Sequence, residues 1–471
     1  MADRTPQETA ERVLADCRAD ACVVIVEQGG GTHLRWAANT VTASGSADVG
    51  RTTVIALRNT REGTSAGVVS HSGVHGVDTS RIAEEAWRSC SGNPVVADAP
   101  ALPGPGEVPV GSAAEWRSPA PAPPEDPLGN VPEELRSAFA RARAEGRLLH
   151  GYAERHVRTT YLASSTGVRL RHTRPTALLD LTMRGVEDPA TSWAGDSATT
   201  APDTPFPEGW VTAMDDRLRA RPRRTRRSAC PPGRYEVILS PSCVADLMLH
   251  LYRELDADDA LHGRTVFGRP GGGTRLGERL TSQPLALSSD PALPGMGAVP
   301  FVVARGADGA ASVFDSGLSL GATDWIADGV LNTLVHDRRS ALRAGVPVSP
   351  RIDNLRLEGP ADAPSLADMV ASTRRGLLVT SLWYLRQVDA ASLRLTGLTR
   401  DGVYLVEDGE VTGTVGNSRF DESPVGLLER VTEVGRSTRT LPREWGDCTV
   451  RTAMPPLRVA DFALSAATTS V

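Results

Sequence analysis

Residues 375 to 411, RGLLVTSLWYLRQVDAASLRLTGLTRDGVYLVEDGEV, decide how the rest of the chain is read. Leu377 to Leu382 reads as a strand. Tyr404 to Val411 reads as a hairpin turning at Asp408-Gly409, because a two-residue Asp-Gly turn supplies the positive φ angles that match strand twist. Working outward, Tyr235 to Ser240, Phe301 to Arg305 and Val330 to Val335 are further predicted strands, and Ser242 to Leu255 a helix. The C-terminal half is therefore expected to be strand-dominated with few helices.

Upstream, Arg217 to Arg227 (RLRARPRRTRR) carries seven arginines in eleven residues and runs into Pro231 and Pro232, which marks a domain boundary. As a nucleic-acid surface it lacks interleaved aromatics for base stacking. It reads instead as a solvated linker or a partner-facing surface. Before it, Thr5, Pro6 and Glu8 form a capping box for a first helix with Ala10, Val13, Leu14 and Cys17 on one face. A strand at Cys22 to Glu27 runs up to the glycines Gly29 to Gly31, followed by His33 to Thr42 and two β-rich stretches, Thr52 to Arg58 and Thr64 to His71. A helix is expected near Arg81 to Cys90, with Ile82, Ala86 and Trp87 inward.

From 93 to 132 the composition shifts to Pro, Ala, Gly and Glu, too poor in large apolar residues to pack, so an exposed connection is expected. A helix at Pro132 to Glu145, stopped by Gly146, leads to strands near Arg158 to Ala163, Val168 to Thr173 and Ala177 to Met183. The fold class is α+β in two domains: a mixed sheet-and-helix N-terminal domain over residues 1–228, with the Pro-rich insertion at 93–132, and a β-rich C-terminal domain over 229–471.

Bulk properties narrow the function. A chain of 471 residues, 40% hydrophobic and 23% charged, can bury two cores and has no apolar run approaching the roughly 18 residues of a membrane span. The charged start MADRTPQETAERVLADC does not resemble a signal peptide, so a cytoplasmic location is expected. The six cysteines (Cys17, Cys22, Cys90, Cys230, Cys243 and Cys448) form no CxxC pair and read as reduced thiols. A net charge of −6 argues against general affinity for nucleic acid. The sequence contains no lysine, so all 51 basic residues are arginine. That excludes Walker A phosphate binding, kinase chemistry and Schiff-base catalysis, each of which needs a lysine amine.

Several segments are similar to the TldD/PmbA (peptidase U62) family: LRWAANTVTASG (34 to 45), DGVLNTLVHDRRSALRAG (328 to 345), the 375 to 411 stretch and RFDESPVGLLERV (419 to 431). The resemblance covers most of the chain apart from the Pro-rich insertion. It implies a two-subunit zinc metallopeptidase acting on unfolded peptides. In it, TldD-type subunits carry HExxxH on a helix and a later cysteine as zinc ligands, with the glutamate as general base. TldE (PmbA)-type subunits lack the motif and pair with TldD in a heterodimer.

Here the equivalent helix is SCVADLMLHLYREL, in which His250 aligns with the first motif histidine while Leu251 and Leu255 stand where the glutamate and second histidine belong. A catalytic zinc needs three protein ligands, a water and a base. The sequence therefore resembles the TldE-type subunit, with no zinc expected in this chain and zinc expected in the partner. An alternative is a self-sufficient metallopeptidase with an altered ligand set of His250, Glu254 and Cys448, acting in peptide natural-product maturation. Against it, His250 reads as a partly buried helix residue, Glu254 as solvated or paired with an arginine, and Cys448 as a structural thiol.

Other motifs carry less. The pair His71 and His75 does not converge in a strand or loop as it would on a helix. The GxSxG strings around Ser65 and Ser319 lack the strand-turn-helix setting of a nucleophile elbow. GRPGGGTRLGE (268 to 278) reads as a loop rather than a phosphate cradle. Trp36, Trp383 and Tyr384 read first as core residues, with peptide contact as the alternative for each.

Overall fold

The computed structural model describes residues 4–73, 76–109, 115–121, 126–186, 194–199, 206–220, 226–228, 230–306, 311–445 and 451–467. His75, Cys448, residues 110–114 and 122–125 of the Pro-rich stretch, and residues 221–225 of the arginine run lie outside them.

Among the described residues the N-terminal domain is one seven-stranded antiparallel sheet with four α-helices. In chain order its elements are α1 (Pro6–Asp16), β1 (Ala21–Ala37), β2 (Thr40–Thr60), β3 (Gly63–Ser72), α2 (Thr79–Ser89), β4 (Val95–Val96), α3 (Val131–Ala144), β5 (Arg147–Ser164), β6 (Arg169–Gly185), β7 (Ala194–Thr199) and α4 (Trp210–Ala220). The strand order is β4-β3-β2-β1-β5-β6-β7. The Thr5 capping box is present: the threonine side chain accepts from the Glu8 N–H and Glu8 accepts from the Thr5 N–H. Ile82 and Ala86 of α2 are buried, whereas Trp87 is only partly so and lies under the Arg58 guanidinium at 5.5 Å.

Strand lengths depart from expectation. The glycines Gly29 to Gly31 do not break β1, because every one of them is paired on both sides, with Val49, Asp48 and Ala47 on β2 and with Arg158, Val157 and His156 on β5. Similarly, Val168 to Thr173 and Ala177 to Met183 merge into β6, paired with β5 over its whole length. Backbone pairing in a long antiparallel sheet outweighs the weak local preferences at glycine and proline.

Side-chain alternation gives the sheet two different faces. Val24 and Val26 pack with Ala10 and Val13 of α1 and Ile82 and Ala86 of α2. Leu34 and Trp36 pack with Leu135 and Phe139 of α3 and Met214 of α4, which settles Trp36 as a core residue. The other face, Val23 and Ile25 with Ile55, Leu57, Leu162 and Leu170, packs against Phe301, Val313 and Phe314 of the C-terminal domain. Leu102 joins this layer and Trp116 stacks edge-on with Tyr161 at 5.8 Å, so the Pro-rich connection is pinned to the body at its few large apolar side chains.

The C-terminal domain begins with β8 (Arg226–Ser228), β9 (Gly233–Leu239), α5 (Pro241–Arg253) and α6 (Ala257–Leu261). Its larger sheet closes on itself: strand Arg375–Asp389 pairs with β9, then come Leu457–Ala467, Ser418–Glu422 and Arg394–Glu407, and the last pairs back with Arg375–Asp389. The hairpin turns where expected, with φ of 49° at Asp408 and 83° at Gly409. A six-stranded sheet lies beside it. Phe301 to Arg305 is not a strand, retaining only the bridge from Phe301 to Ser319, and Val330 to Val335 is reduced to the short strand Val330–Leu331 and a parallel bridge from Val335 to Asp256. The helix α5 lies in the core of this domain, with every residue from Ser242 to Tyr252 buried.

Arginines join the two domains. Arg443 reaches Asp180 and Thr182 on β6, Arg305 reaches Glu27 on β1, Arg174 pairs with Asp353, and Arg451 donates to the Pro175 carbonyl at 2.8 Å. Arg217 and Arg219, the start of the arginine run, lie on α4 and pair with Asp196, Glu145 and Asp216. Among the described residues no helix is long and apolar enough to cross a membrane.

Candidate functional site

The helix α5 starts at the N-cap Ser240, whose hydroxyl accepts from the Cys243 N–H at 3.4 Å, and it ends at Glu254, whose N–H donates to the Leu251 and Tyr252 carbonyls. Leu251 and Leu255, where the resemblance would put the glutamate and second histidine, are completely buried in the main hydrophobic core. They are packing residues. Their neighbours are apolar, which is why the helix tolerates no charge there.

His250 is 8% exposed and its ring meets Trp445 edge-on, with centroids 4.9 Å apart. Burial, reinforced by the positive Arg253 and Arg386, pushes its pKa down to about 4, so the imidazole is neutral. One turn earlier Asp246 is fully buried and accepts from the Glu444 N–H at 3.0 Å; burial holds its carboxyl well above the usual carboxylate range. Nε2 of His250, Oδ2 of Asp246 and Nε1 of Trp445 have no hydrogen-bond partner among the described residues. Glu254 is half-buried, its pKa raised by burial against a hydrogen bond from Gln387. Of the three candidate metal ligands, His250 and Glu254 sit at the C-terminal end of one helix, and Cys448 lies outside the described residues. Among the described residues no group of three or more His, Cys, Asp or Glu is arranged to hold a metal ion. With leucines at two motif positions, the residues present do not fit a zinc of the HExxxH kind.

Beside the C-terminal half of α5 opens a cleft of about 860 Å³ between the two domains. Leu249, Tyr252 and Arg253 form one wall, and Glu27, Arg51 and Arg158 of the N-terminal sheet form the opposite one. Sheet register explains the second wall: Glu27 faces Arg51 across β1 and β2, and Arg158 faces Arg174 across β5 and β6, all on the side turned to the C-terminal domain. Where the apolar contact of Val23 and Ile25 ends, Glu27 begins the polar lining. Arg305 grips Glu27 with contacts of 2.8, 3.1 and 3.2 Å. Burial would raise the Glu27 pKa, but the Arg305 hydrogen bonds and the charges of Arg305, Arg158 and Arg51 outweigh it and keep the carboxylate ionised.

Sequence reasoning found α5 and missed this cleft. Its only local trace is a glutamate within the apolar run ACVVIVEQ, followed by glycines. The other motifs resolve simply: Ser65 is buried in β3, His71 faces Glu85 at 3.4 Å, and the glycine loop 268–278 is closed by Arg269 and Arg275 on Glu278. Trp383 and Tyr384 are 41% and 57% exposed, stacked under Arg400 and Arg386, so burial is not their role.

The chain thus combines two domains, a helix buried in the C-terminal core and a cleft alongside that helix. Residues 232–466 match the model of the PmbA/TldA metallopeptidase C-terminal domain, and through that domain the chain belongs to the PmbA/TldD family. No curated protein matches the chain by sequence. Among solved structures it is similar to TldE from Thermococcus kodakarensis, at 14% identity and a TM-score of 0.71, over 97% of this chain and 98% of that one. It is also similar to proteins described as modulators of DNA gyrase from Bacteroides thetaiotaomicron (16% identity, TM-score 0.71, 98% of each chain) and Thermotoga maritima (16%, 0.72, 98% of this chain and 100% of that one). At these identities the likeness is one of fold.

Proposed function

We propose that this chain is a TldE-type subunit of a cytoplasmic, two-subunit metallopeptidase that acts on unfolded peptides, the zinc and the HExxxH motif belonging to a TldD-type partner. The observation that carries this reading is the burial of Leu251 and Leu255 in the core at the motif positions. A leucine can neither ligate zinc nor take a proton from a metal-bound water. The role left to this chain is to shape the chamber, and an extended peptide held by main-chain pairing would be gripped with little sequence selectivity. The exposed Trp383 and Tyr384, beside Arg386 and Arg400, have the composition of an interface hot spot and supply a surface for the partner.

The test is elemental analysis of the purified chain, alone and co-expressed with a HExxxH-bearing partner, beside hydrolysis of an unstructured peptide. The expected result is a metal-free, inert lone chain and a zinc-bearing, active complex. The unpartnered Nε2 of His250 favours one second reading, an altered His250, Glu254 and Cys448 site in a self-sufficient metallopeptidase of natural-product maturation. Stoichiometric zinc in the lone chain, lost in His250→Ala, would establish that reading and overturn the first.

A further inference from the structure

Six arginines line the cleft against four carboxylates, Glu27, Asp256, Asp259 and Asp353. Most of the arginines are already engaged. Arg305 is held by Glu27 and Arg174 by Asp353; Arg351 donates to the Tyr252 and Arg253 carbonyls, and Arg253 lies over the Trp445 ring at 4.7 Å. The side chains of Arg51 and Arg158 have no hydrogen bond or ion pair among the described residues. They stand on either side of β1, Arg51 opposite Glu27 and Arg158 opposite Gly29.

The floor between them is bare. Gly29 and Gly31 face the cleft side, and a Cβ on Gly29 would come within 2.2 Å of the Val157 carbonyl oxygen, one on Gly31 within 2.8 Å of His156 Cβ. A second hollow of about 350 Å³ continues along this glycine floor and shares Val49, Arg158 and Arg174 with the cleft. The combined channel is long, open at the backbone and positive at its centre. Arg158 is half-buried there, its pKa lowered by burial and, despite the attraction of Glu27, by the charges of Arg174, Arg305 and Arg51.

We infer that this channel binds a carboxylate-bearing extended peptide, with Arg51 and Arg158 donating to one carboxylate, either an acidic side chain or the chain terminus. The inference deepens the peptide-handling reading above and rests on it for the class of ligand. A guanidinium offers a carboxylate two parallel N–H donors, and partial desolvation strengthens the charged hydrogen bond at the half-buried Arg158, with the exposed Arg51 adding a second donor at the rim. The channel thus adds a preference for negative charge to an otherwise unselective main-chain grip.

The experiment uses the full chain and decapeptides of Gly, Ser and Ala, N-terminally labelled with an uncharged BODIPY dye, in three forms: amidated with one internal Asp, free at the C-terminus without Asp, and amidated without Asp. Anisotropy is expected to show at least one carboxylate form binding about tenfold or more tighter than the neutral one, since losing a charged hydrogen bond costs about that factor. The first two forms tell side chain from terminus. The preference should vanish in Arg51→Ala/Arg158→Ala and survive in part in Arg158→Lys. Equal binding of the neutral peptide overturns the inference, as does an unaltered preference in a double variant that melts like the parent. If the double variant does not fold, Arg51→Gln and Arg158→Gln are read singly by the same criterion. Displacement of the peptide by inorganic phosphate at lower concentration than by acetate also overturns the carboxylate assignment. Complex formation with the TldD-type partner is scored separately by size-exclusion chromatography. A complex without carboxylate preference sinks only this inference, and carboxylate preference without a complex sinks only the subunit reading.

Discussion

Arg443 is gripped from both domains at once: its Nε lies 2.9 Å from Asp180 of the N-terminal sheet and its Nη1 2.7 Å from Asp401 of the C-terminal barrel. The group is almost completely enclosed, and a further bond to Thr182 at 3.1 Å completes its set. Burial works against its charge, but the two carboxylates more than compensate and raise its pKa. Arg443→Ala strands Asp180 and leaves Asp401 only its ion pair with Arg400 at 3.3 Å, and removing one member of a buried pair costs about 3–5 kcal/mol. Urea unfolding should show that loss. A variant as stable as the parent would mean that the domains are held by apolar contact alone.

Leu251→Glu tests the assignment of α5 as a core helix. An unpaired carboxylate placed among apolar side chains costs at least about 3 kcal/mol, or is protonated. The variant should melt well below the parent and acquire no zinc, even combined with Leu255→His. A stable double variant that binds one zinc per chain would show that the leucines conceal an intact metal site.

Neutral His250 makes stability depend on pH. Its folded pKa of about 4 lies below the unfolded value of about 6.5. The fold therefore favours the uncharged ring, and this contribution is complete above pH 6.5 and is lost as pH falls toward 4. The loss is on the order of 3 kcal/mol, and His172, lowered to about 4 by burial and by Arg174, Arg451 and Arg171, adds a second such group. In chemical-denaturation curves between pH 7 and 4, His250→Leu should flatten the slope by roughly half of their combined contribution. An unchanged slope would place the charge-sensitive group elsewhere.

Cys17 is the thiol most prone to modification among the described cysteines. A hydrogen bond from Cys22 outweighs burial and brings its pKa to about 7, whereas burial raises those of Cys90, Cys230 and Cys243. Near neutral pH about half of Cys17 is thiolate, the reactive form. Brief iodoacetamide treatment followed by peptide mapping should label Cys17 first, and Cys22→Ala should slow that labelling. Preferential labelling of Cys230 would contradict the ordering.

What could be read from the chain was what neighbouring residues decide among themselves. The capping box at Thr5, the Asp408-Gly409 turn, the stop at Gly146 and the leucines at 251 and 255 are local statements: a side chain capping a nearby N–H, two residues accepting positive φ, or a ligand type that is simply missing. The segments that resemble the PmbA/TldD family belong to the same class, because they are ordered stretches of contiguous sequence.

Tertiary structure decided whatever depends on partners far along the chain. Gly29 to Gly31 belong to a strand because β2 and β5 pair with them, and no neighbouring residue announces that pairing. Cys17 and Cys22, with no motif between them, meet where α1 packs on β1. Arg51, Arg158, Arg174 and Arg305 are ordinary arginines in sequence, and they become a charged wall because antiparallel register puts three of them on one sheet face and the C-terminal domain brings the fourth to Glu27. Side-chain direction in a sheet alternates residue by residue, so the facing of each charge is known only once register and the packing of the second domain are known.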